Sequence, residues 1–269
     1  SGSTGQPFYF AKDKFCHSMT WASILNRYGM HDIEYGGSKQ ARFFGIPLSF
    51  PSYQKERFKD ILSNRYRFTV FDLSDEVLEG FVEKFRHTKF EYINGYTSSI
   101  VLFCEYLIKQ KIVLKEICPS LKVVFPTSEM CSKSDREIIE MATGVKVANE
   151  YGAAELDVIA FEDQDFDWIV NEENLFVEIL DDKNQPVKQG ESGKIVITSL
   201  YNKANAFIRY EVGDVGVFDG TTKGKYRILK ELVGRTNDFI LLPSGKKSPG
   251  LTFYYISKAL FEKGGFMKE

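Results

Sequence analysis

Val145-Lys146-Val147-Ala148-Asn149-Glu150-Tyr151-Gly152-Ala153-Ala154-Glu155 is the stretch whose reading decides the fold. The apolar run from Val145 to Ala148 predicts a short buried strand. The chain then breaks into polar Asn149, an aromatic, a glycine and two small residues, and ends on a carboxylate. An aromatic face beside Gly152 can stack on a planar base, because glycine lets the backbone approach closely. Glu155 stands where a carboxylate can hold a divalent cation. The same letters also fit a strand and turn whose tyrosine packs in the core and whose glutamate is solvated. The surrounding sequence has to decide.

Upstream, Val123-Val124-Phe125 predicts a buried strand, and Pro126-Thr127-Ser128-Glu129 leaves the sheet. Ser134 and Glu137 have the spacing of a capping box for a helix over 135–143, which Gly144 ends. Strand, helix and strand in succession imply an α/β fold with a mainly parallel sheet. Ligands of such sheets bind beyond the carboxyl ends of the strands. Thr127-Ser128-Glu129 and the segment 149–155 both fall there.

Farther back, residues 13–28 carry Phe15, Met19, Ala22, Leu25 and Tyr28 at helical spacing, with Gly29 as the stop; these side chains read as core. Residues 42–47 read as a strand or turn and 68–71 as a strand. A helix is expected over 75–86, capped by Ser74, with Val77, Leu78, Phe81, Val82 and Phe85 on one face. Asn94-Gly95-Tyr96 reads as a turn. The next helix, 98–109, is expected to bury Val101, Leu102, Cys104 and Leu107.

The opening Ser1-Gly2-Ser3-Thr4-Gly5-Gln6-Pro7 combines glycines that free the backbone with three hydroxyl donors. Such a loop can wrap phosphate oxygens. It lacks the Gly-Lys-Ser/Thr of a Walker loop, and its composition also suits a flexible linker.

After Asp163 the pattern changes. Strands are expected at 175–180, 194–200, 206–210, 215–218, 226–229 and 239–242, with a turn over 181–186. Close spacing of short strands predicts an antiparallel, barrel-like subdomain. Within it, Arg209-Tyr210-Glu211-Val212-Gly213-Asp214 puts an aspartate after a glycine, where a sugar hydroxyl can reach it or where it closes a turn. Gly234-Arg235-Thr236-Asn237-Asp238 has the residues of a hinge. Ser244 to Gly250 reads as a basic turn.

Composition bounds the rest. At 269 residues and a net charge of −2, the chain can bury a large core, and its near-neutrality argues against a broad nucleic-acid footprint. No apolar run reaches membrane-spanning length. Cys16, Cys104, Cys118 and Cys131 form no Cys-x-x-Cys pair, so reduced thiols and a cytoplasmic location are expected. His17, His31 and His87 have no partner at ligand spacing. The absence of an initiating methionine suggests an internal fragment of a longer protein.

In order along the chain, these signatures resemble the adenylate-forming superfamily of acyl-CoA synthetases, and within it the phenylacetate–CoA ligases and CapK-like proteins. The resemblance rests on the Ser/Gly/Thr-rich loop at 1–7, Tyr-Gly-x-x-Glu at 151–155, Arg-Tyr-x-x-Gly-Asp at 209–214 and Gly-Arg-x-x-Asp at 234–238. It implies an α/β large domain with a mainly parallel sheet over 1–165, a β-barrel-like subdomain over 166–234, and a hinge with the start of a C-terminal lid over 235–269. By it, Ser1, Ser3, Thr4 and Gly5 cradle the ATP phosphates, with Thr4 and Glu155 in the catalytic set. Tyr151 stacks on adenine, and Ser128, Glu129 and Asn149 line its edge. Glu155 holds Mg²⁺, Asp214 binds the ribose, Arg235 assists there, and Asn237 and Asp238 form the pivot. The acid lies between the 96–99 turn and the strand end at Tyr151.

The implied reaction is activation of a small-molecule carboxylic acid as an acyl-adenylate, followed by transfer to coenzyme A. It uses ATP and Mg²⁺, involves no nucleic acid and no membrane, and leaves room for a homodimer. Two departures stand out. Gln6 occupies a loop position where the family often has lysine, and Lys246 and Lys247 lie too near the hinge to be the family's late catalytic lysine. The polypeptide alone is therefore expected to adenylate poorly. Transfer of AMP to a non-carboxylate acceptor, and a non-catalytic nucleotide-binding module serving capsular polysaccharide synthesis, stay open as alternatives.

Overall fold

A computed structural model describes residues 8–45, 50–235, 239–241 and 247–249. Contacts divide the chain into two compact units. One comprises residues 21–151 and 161–166, the other 1–20, 152–160 and 167–269.

The first unit is built on a parallel sheet. Helix α1 spans Lys14–Gly29, and its second half belongs to this unit. Then follow β1 (Gln40–Phe43), α2 (Phe50–Leu62), β2 (Arg65–Phe68), α3 (Asp75–Arg86), β3 (Tyr92–Tyr96), α4 (Thr97–Lys109), the single turn α5 (Leu114–Ile117), β4 (Val123–Thr127), α6 (Lys133–Thr143) and β5 (Lys146–Val147). The strand order is β2-β1-β3-β4-β5, and the pairings are parallel. Each crossover carries a helix, as βαβ alternation predicts. The order reverses between β1 and β3, so a topological switch point lies at their carboxyl ends, at Phe43-Phe44 and Tyr96-Thr97.

The sheet alternates by side-chain parity. Ala41, Phe43, Phe68, Ile93 and Val124 join Leu78, Phe81, Phe85, Ile100, Phe103 and Ile139 from the helices in one apolar core. Phe68 stacks on Phe43 at 4.9 Å and on Phe85 at 5.2 Å between ring centres. Strands β1 and β3 approach so closely that a Cβ on Gly95 would lie 2.5 Å from the Phe43 carbonyl oxygen. The opposite face carries Gln40, Arg42, Arg65, Arg67, Asn94, Phe125 and Thr127. There Asp60 of α2 accepts from Arg67 Nε at 2.9 Å and from Arg65 Nε, and Tyr28 stacks on Phe125 at 4.6 Å.

The second sheet has seven strands: β6 (Glu150–Ala153), β7 (Asp157–Glu162), β8 (Trp168–Val170), β9 (Leu175–Leu180), β10 (Ser192–Ser199), β11 (Tyr210–Lys223) and β12 (Tyr226–Arg235), in the order β6-β7-β8-β12-β11-β10-β9. Strands β9 to β12 pair antiparallel, and register shifts between Lys194 and Val196 and along Val215–Thr222 bend them, so the sheet curls. The hairpin β13 (Phe239–Leu241) and β14 (Lys247–Pro249) follows. Among the described residues no helix is long and apolar enough to cross a membrane. All four cysteines are free.

The α/β class, the parallel sheet and the β-rich second half agree with the sequence reading; several details differ. Helix α6 is capped by Ser132 and Asp135, not Ser134 and Glu137: Asp135 N donates to Ser132 Oγ at 3.1 Å, and Ser132 N to Asp135 Oδ2 at 3.0 Å. Cys131 precedes this cap, so helical periodicity gave no sign that the helix begins so early. Ser74 stands at the N-cap of α3 without a side-chain cap bond. Asn94-Gly95-Tyr96 is strand rather than turn, because Gly95 serves the close approach to β1. Strand β2 ends at Phe68 and begins at Arg65, where charges pair with α2. Phe15, Leu25 and Leu102 are exposed rather than core. Residues expected as two strands, 215–218 and part of 206–210, fall on the one long β11 and the loop before it. The basic turn at 244–250 contains β14. Helix α2, with its charged face toward Arg65 and Arg67, and the strands β7 and β8 had no counterpart in the sequence reading.

Candidate functional site

In the first unit, polar residues gather at the carboxyl ends of β3 and β4. Helix α4 starts directly after β3, and its first backbone N–H groups need acceptors. Glu129 takes one of them and two hydroxyls beside it: its Oε2 accepts from Ser98 N at 2.7 Å, its Oε1 from Ser98 Oγ at 3.1 Å, and its carbonyl from Thr97 Oγ1 at 3.1 Å. The carboxylate also sits favourably at the positive end of the helix dipole. Ser128, exposed beside it, has φ +69°, so the loop turns sharply through a left-handed residue.

Beyond β5, Glu162 fixes the path of the opening motif. Its Oε2 accepts from Asn149 N at 2.8 Å and from Arg136, whose Nη1 also donates to the Val147 carbonyl at 2.7 Å. Tyr151 is buried. Glu150 is half-buried, with Thr127 Oγ1 at 3.4 Å from its Oε1. Burial pushes its carboxyl up to about 7, against which the Thr127 hydrogen bond works only weakly. His31, buried against Phe125 and Phe161, contacts the Glu162 carbonyl at 2.9 Å, and burial lowers its pKa.

In the second unit, Glu155 is 4% exposed and its Oε1 accepts from the Tyr210 hydroxyl at 2.8 Å. Burial, then the hydrogen bond and charge of Glu155, raises the Tyr210 phenol to about 12, so it remains a donor at any ordinary pH. This bond joins the carboxylate of one sequence signature to the tyrosine of another. Gly152 packs against the following strand: a Cβ there would lie 2.3 Å from the Asp157 carbonyl oxygen, so only glycine fits. Asp157, itself at φ +60°, pairs with Lys12 at 2.6 Å and accepts from Thr20 at 2.7 Å, while Lys12 donates to the Ala154 carbonyl at 2.8 Å. Asp214 lies half-buried on β11 opposite Arg235 of β12, just after Gly213 at φ +87°.

No family model matches the chain. It is 24% identical to the CapK protein of Staphylococcus aureus over 249 residues, covering 89% of this chain and 52% of CapK. Over 134 residues it is 25% identical to the phenylacetate–coenzyme A ligase of Thermus thermophilus, covering 46% and 29%. A crystal structure of 2-hydroxyisobutyryl-CoA ligase in the postadenylation state superposes with a TM-score of 0.71 at 17% identity, over 91% of this chain and 53% of that one. The chain has the adenylate-forming fold. It spans about half the length of the S. aureus relative.

The expected residues divide between the two units. Ser128, Glu129, Asn149 and Tyr151 belong to the first unit, at or beyond the ends of β4 and β5. Glu155 and Asp214 belong to the second, as does the backbone of Arg235. Ser1, Ser3, Thr4 and Gly5 lie outside the described residues, as do Asn237 and Asp238. Within the first unit, Glu129 meets the start of α4, while the Asn149 backbone is bound to Glu162. Sequence reasoning passed over Glu150, Glu162 with Arg136, and Tyr210. Tyr210 was in plain view inside a signature, and Arg136 and Glu162 carried no local signal, since their pairing is made by the fold.

Proposed function

We propose that this chain is the nucleotide- and acid-binding part of an AMP-forming carboxylate–CoA ligase. The observation that carries the proposal is the hydrogen bond between Tyr210 and Glu155, which unites two separate signatures on one carboxylate. The relatedness to CapK and to a phenylacetate–coenzyme A ligase supports the same reading.

In this reading the substrate carboxylate, already ionised, attacks the α-phosphorus of ATP. A carbon-bound oxygen becomes joined to phosphorus, and the bond to the β-phosphate oxygen breaks to release pyrophosphate. Coenzyme A then attacks the acyl carbon through its thiolate and expels AMP. No general base is needed for the first step, so the protein's part is placement and charge neutralisation. Thr4 with Ser1, Ser3 and Gly5 would donate to phosphate oxygens, Tyr151 would face the adenine, and Asp214 with Arg235 would take the ribose. Asn237 and Asp238 would be the pivot of a lid. Glu155 fits a hard cation: one oxygen is held by Tyr210 and the other has no protein donor among the described residues. Mg²⁺ there would offset phosphate charge. The acid would lie beyond Tyr96-Thr97, at the switch point.

The test has two parts. Pyrophosphate exchange with a panel of carboxylic acids should be slow in the 269-residue chain alone, since no lysine in the matched signatures takes the catalytic place. AMP release should require both an acid and coenzyme A. Full exchange turnover by this polypeptide would overturn the expectation about the lysine, and AMP release without any acid would overturn the ligase reading. Gln6 favours a second reading, a nucleotide-binding module without catalysis; recovery of intact ATP after prolonged incubation with Mg²⁺ and the acids would support it.

A further inference from the structure

Beyond the strand ends on the polar face of the parallel sheet stands Glu150, a carboxyl that the proposed chemistry does not use and that no arginine or lysine holds among the described residues. Glu150 follows Asn149 and precedes Tyr151, so it stands at the entrance to the opening motif. Among the described residues its hydrogen-bond partner is the Thr127 hydroxyl, at a long 3.4 Å. A carboxylate can accept about four hydrogen bonds, and a shielded one with fewer partners is costly to keep. Glu162, two strands' ends away in sequence, shows the contrast: it is buried and holds both Arg136 and the Asn149 amide. Among the described residues Glu150 has no such cation.

Its surroundings fit a ligand. Thr127 is the last residue of β4, on the face opposite the apolar core, and it pairs in register with Tyr96 of β3. Tyr96 in turn contacts the Phe44 ring at 4.6 Å across the switch point between β1 and β3. The Arg42 guanidinium lies over Phe44 at 3.9 Å, and its buried Nε has no hydrogen-bond partner among the described residues. The carboxyl ends of these strands therefore offer aromatic walls, an under-used carboxyl and an under-used guanidinium nitrogen. An apolar acyl group would leave both unsatisfied.

We infer that Glu150 selects an acid that carries a hydrogen-bond donor, a hydroxyl or an ammonium group, on its acyl part. The inference rests on the carboxylate–CoA ligase reading and narrows its substrate class away from purely apolar acids such as phenylacetate. The donor would hydrogen-bond to the Glu150 carboxylate, keeping its proton, and Thr127 would complete the contact. A site built to receive a donor discriminates against the analogue lacking it, because the shielded acceptor is left bare.

The experiment is calorimetric titration of the full 269-residue chain at pH 7.5 with AMP present. The ligands are phenylacetic acid, 4-hydroxyphenylacetic acid, mandelic acid and phenylglycine; the proteins are wild type, Glu150→Gln and Glu150→Leu. Wild type should bind at least one hydroxylated or aminated acid about tenfold or more tightly than phenylacetic acid. Glu150→Gln, which can still accept, should keep part of that preference for a hydroxylated acid. Glu150→Leu should abolish or invert it while leaving the AMP affinity unchanged. Equal binding of all four acids by wild type, no binding of any acid with AMP bound, or an unaltered preference in Glu150→Leu would overturn this inference alone. Failure of wild type to bind AMP would overturn the ligase reading beneath it as well. Circular dichroism melts of both variants separate a lost preference from a lost fold.

Discussion

The two faces of the parallel sheet spend the same five strands on opposite purposes. One face is dry and aromatic: Phe43, Phe68, Ile93 and Val124 interlock with Phe81, Phe85 and Phe103. The other mixes polar groups, Arg42, Arg67, Asn94, Thr127 and, beyond the strand ends, Glu150, with the buried rings of Tyr92 and Phe125. The period of two along each strand creates both at once. The comparison teaches that the continuous apolar core lies on one parity alone, so a substitution should disturb either that core or the groups at the strand ends according to which side of the strand it occupies.

The largest expected effect lies on the dry face. Phe68→Ala removes a ring stacked on both Phe43 and Phe85 and should cost about 3–5 kcal/mol of unfolding free energy, read from urea denaturation midpoints. A loss below about 1 kcal/mol would break the assignment of stability to that face.

The polar face should show its character as a pH dependence. Glu150 has a native pKa of about 7, above the ordinary value near 4.3. The folded state therefore holds a proton that the unfolded chain releases. Stability should fall as pH rises from about 4.3 to 7 and level off above, by roughly 1–3 kcal/mol once partial exposure is allowed for. Glu150→Gln should remove this component and melt higher than wild type at pH 8, with little difference at pH 4.5. Parallel pH profiles for the two proteins would show that Glu150 is well solvated and that the two faces differ less than their composition suggests.

The smallest effect sharpens the boundary of the dry face, where α6 enters. Ser132→Ala should cost about 1 kcal/mol by removing the capping box, whereas Ser134→Ala should stay within about 0.5 kcal/mol. Thermal melts of the pair would decide which serine begins the helix.

How much of this was legible beforehand follows the range of the interactions. Helix α3 was readable to the residue, because Leu78, Phe81, Val82 and Phe85 repeat at helical spacing over a local stretch. The parallel sheet followed from the order of elements. Helix α2 was not readable, since it packs by Asp60 and Glu56 onto arginines of the next strand rather than by an apolar stripe. The candidate site divides in the same way. Tyr151, Glu155 and Asp214 were named from short signatures. Tyr210 binding Glu155, and Glu162 holding the Asn149 amide, are contacts across 55 and 13 residues that no local pattern announces. The role expected of Glu129 at a nucleotide edge competes with its observed one at the start of α4, where the Ser98 amide and hydroxyl already claim the carboxylate.

Gly152 carries a last consequence. The 2.3 Å that separates a hypothetical side-chain carbon from the Asp157 carbonyl means the hairpin tolerates nothing larger than hydrogen at that point. A homologue that shared this turn but bound no nucleotide would still be obliged to keep the residue. Its persistence would record the shape of a turn, and whether the neighbouring tyrosine and glutamate persisted with it would be the better witness to use.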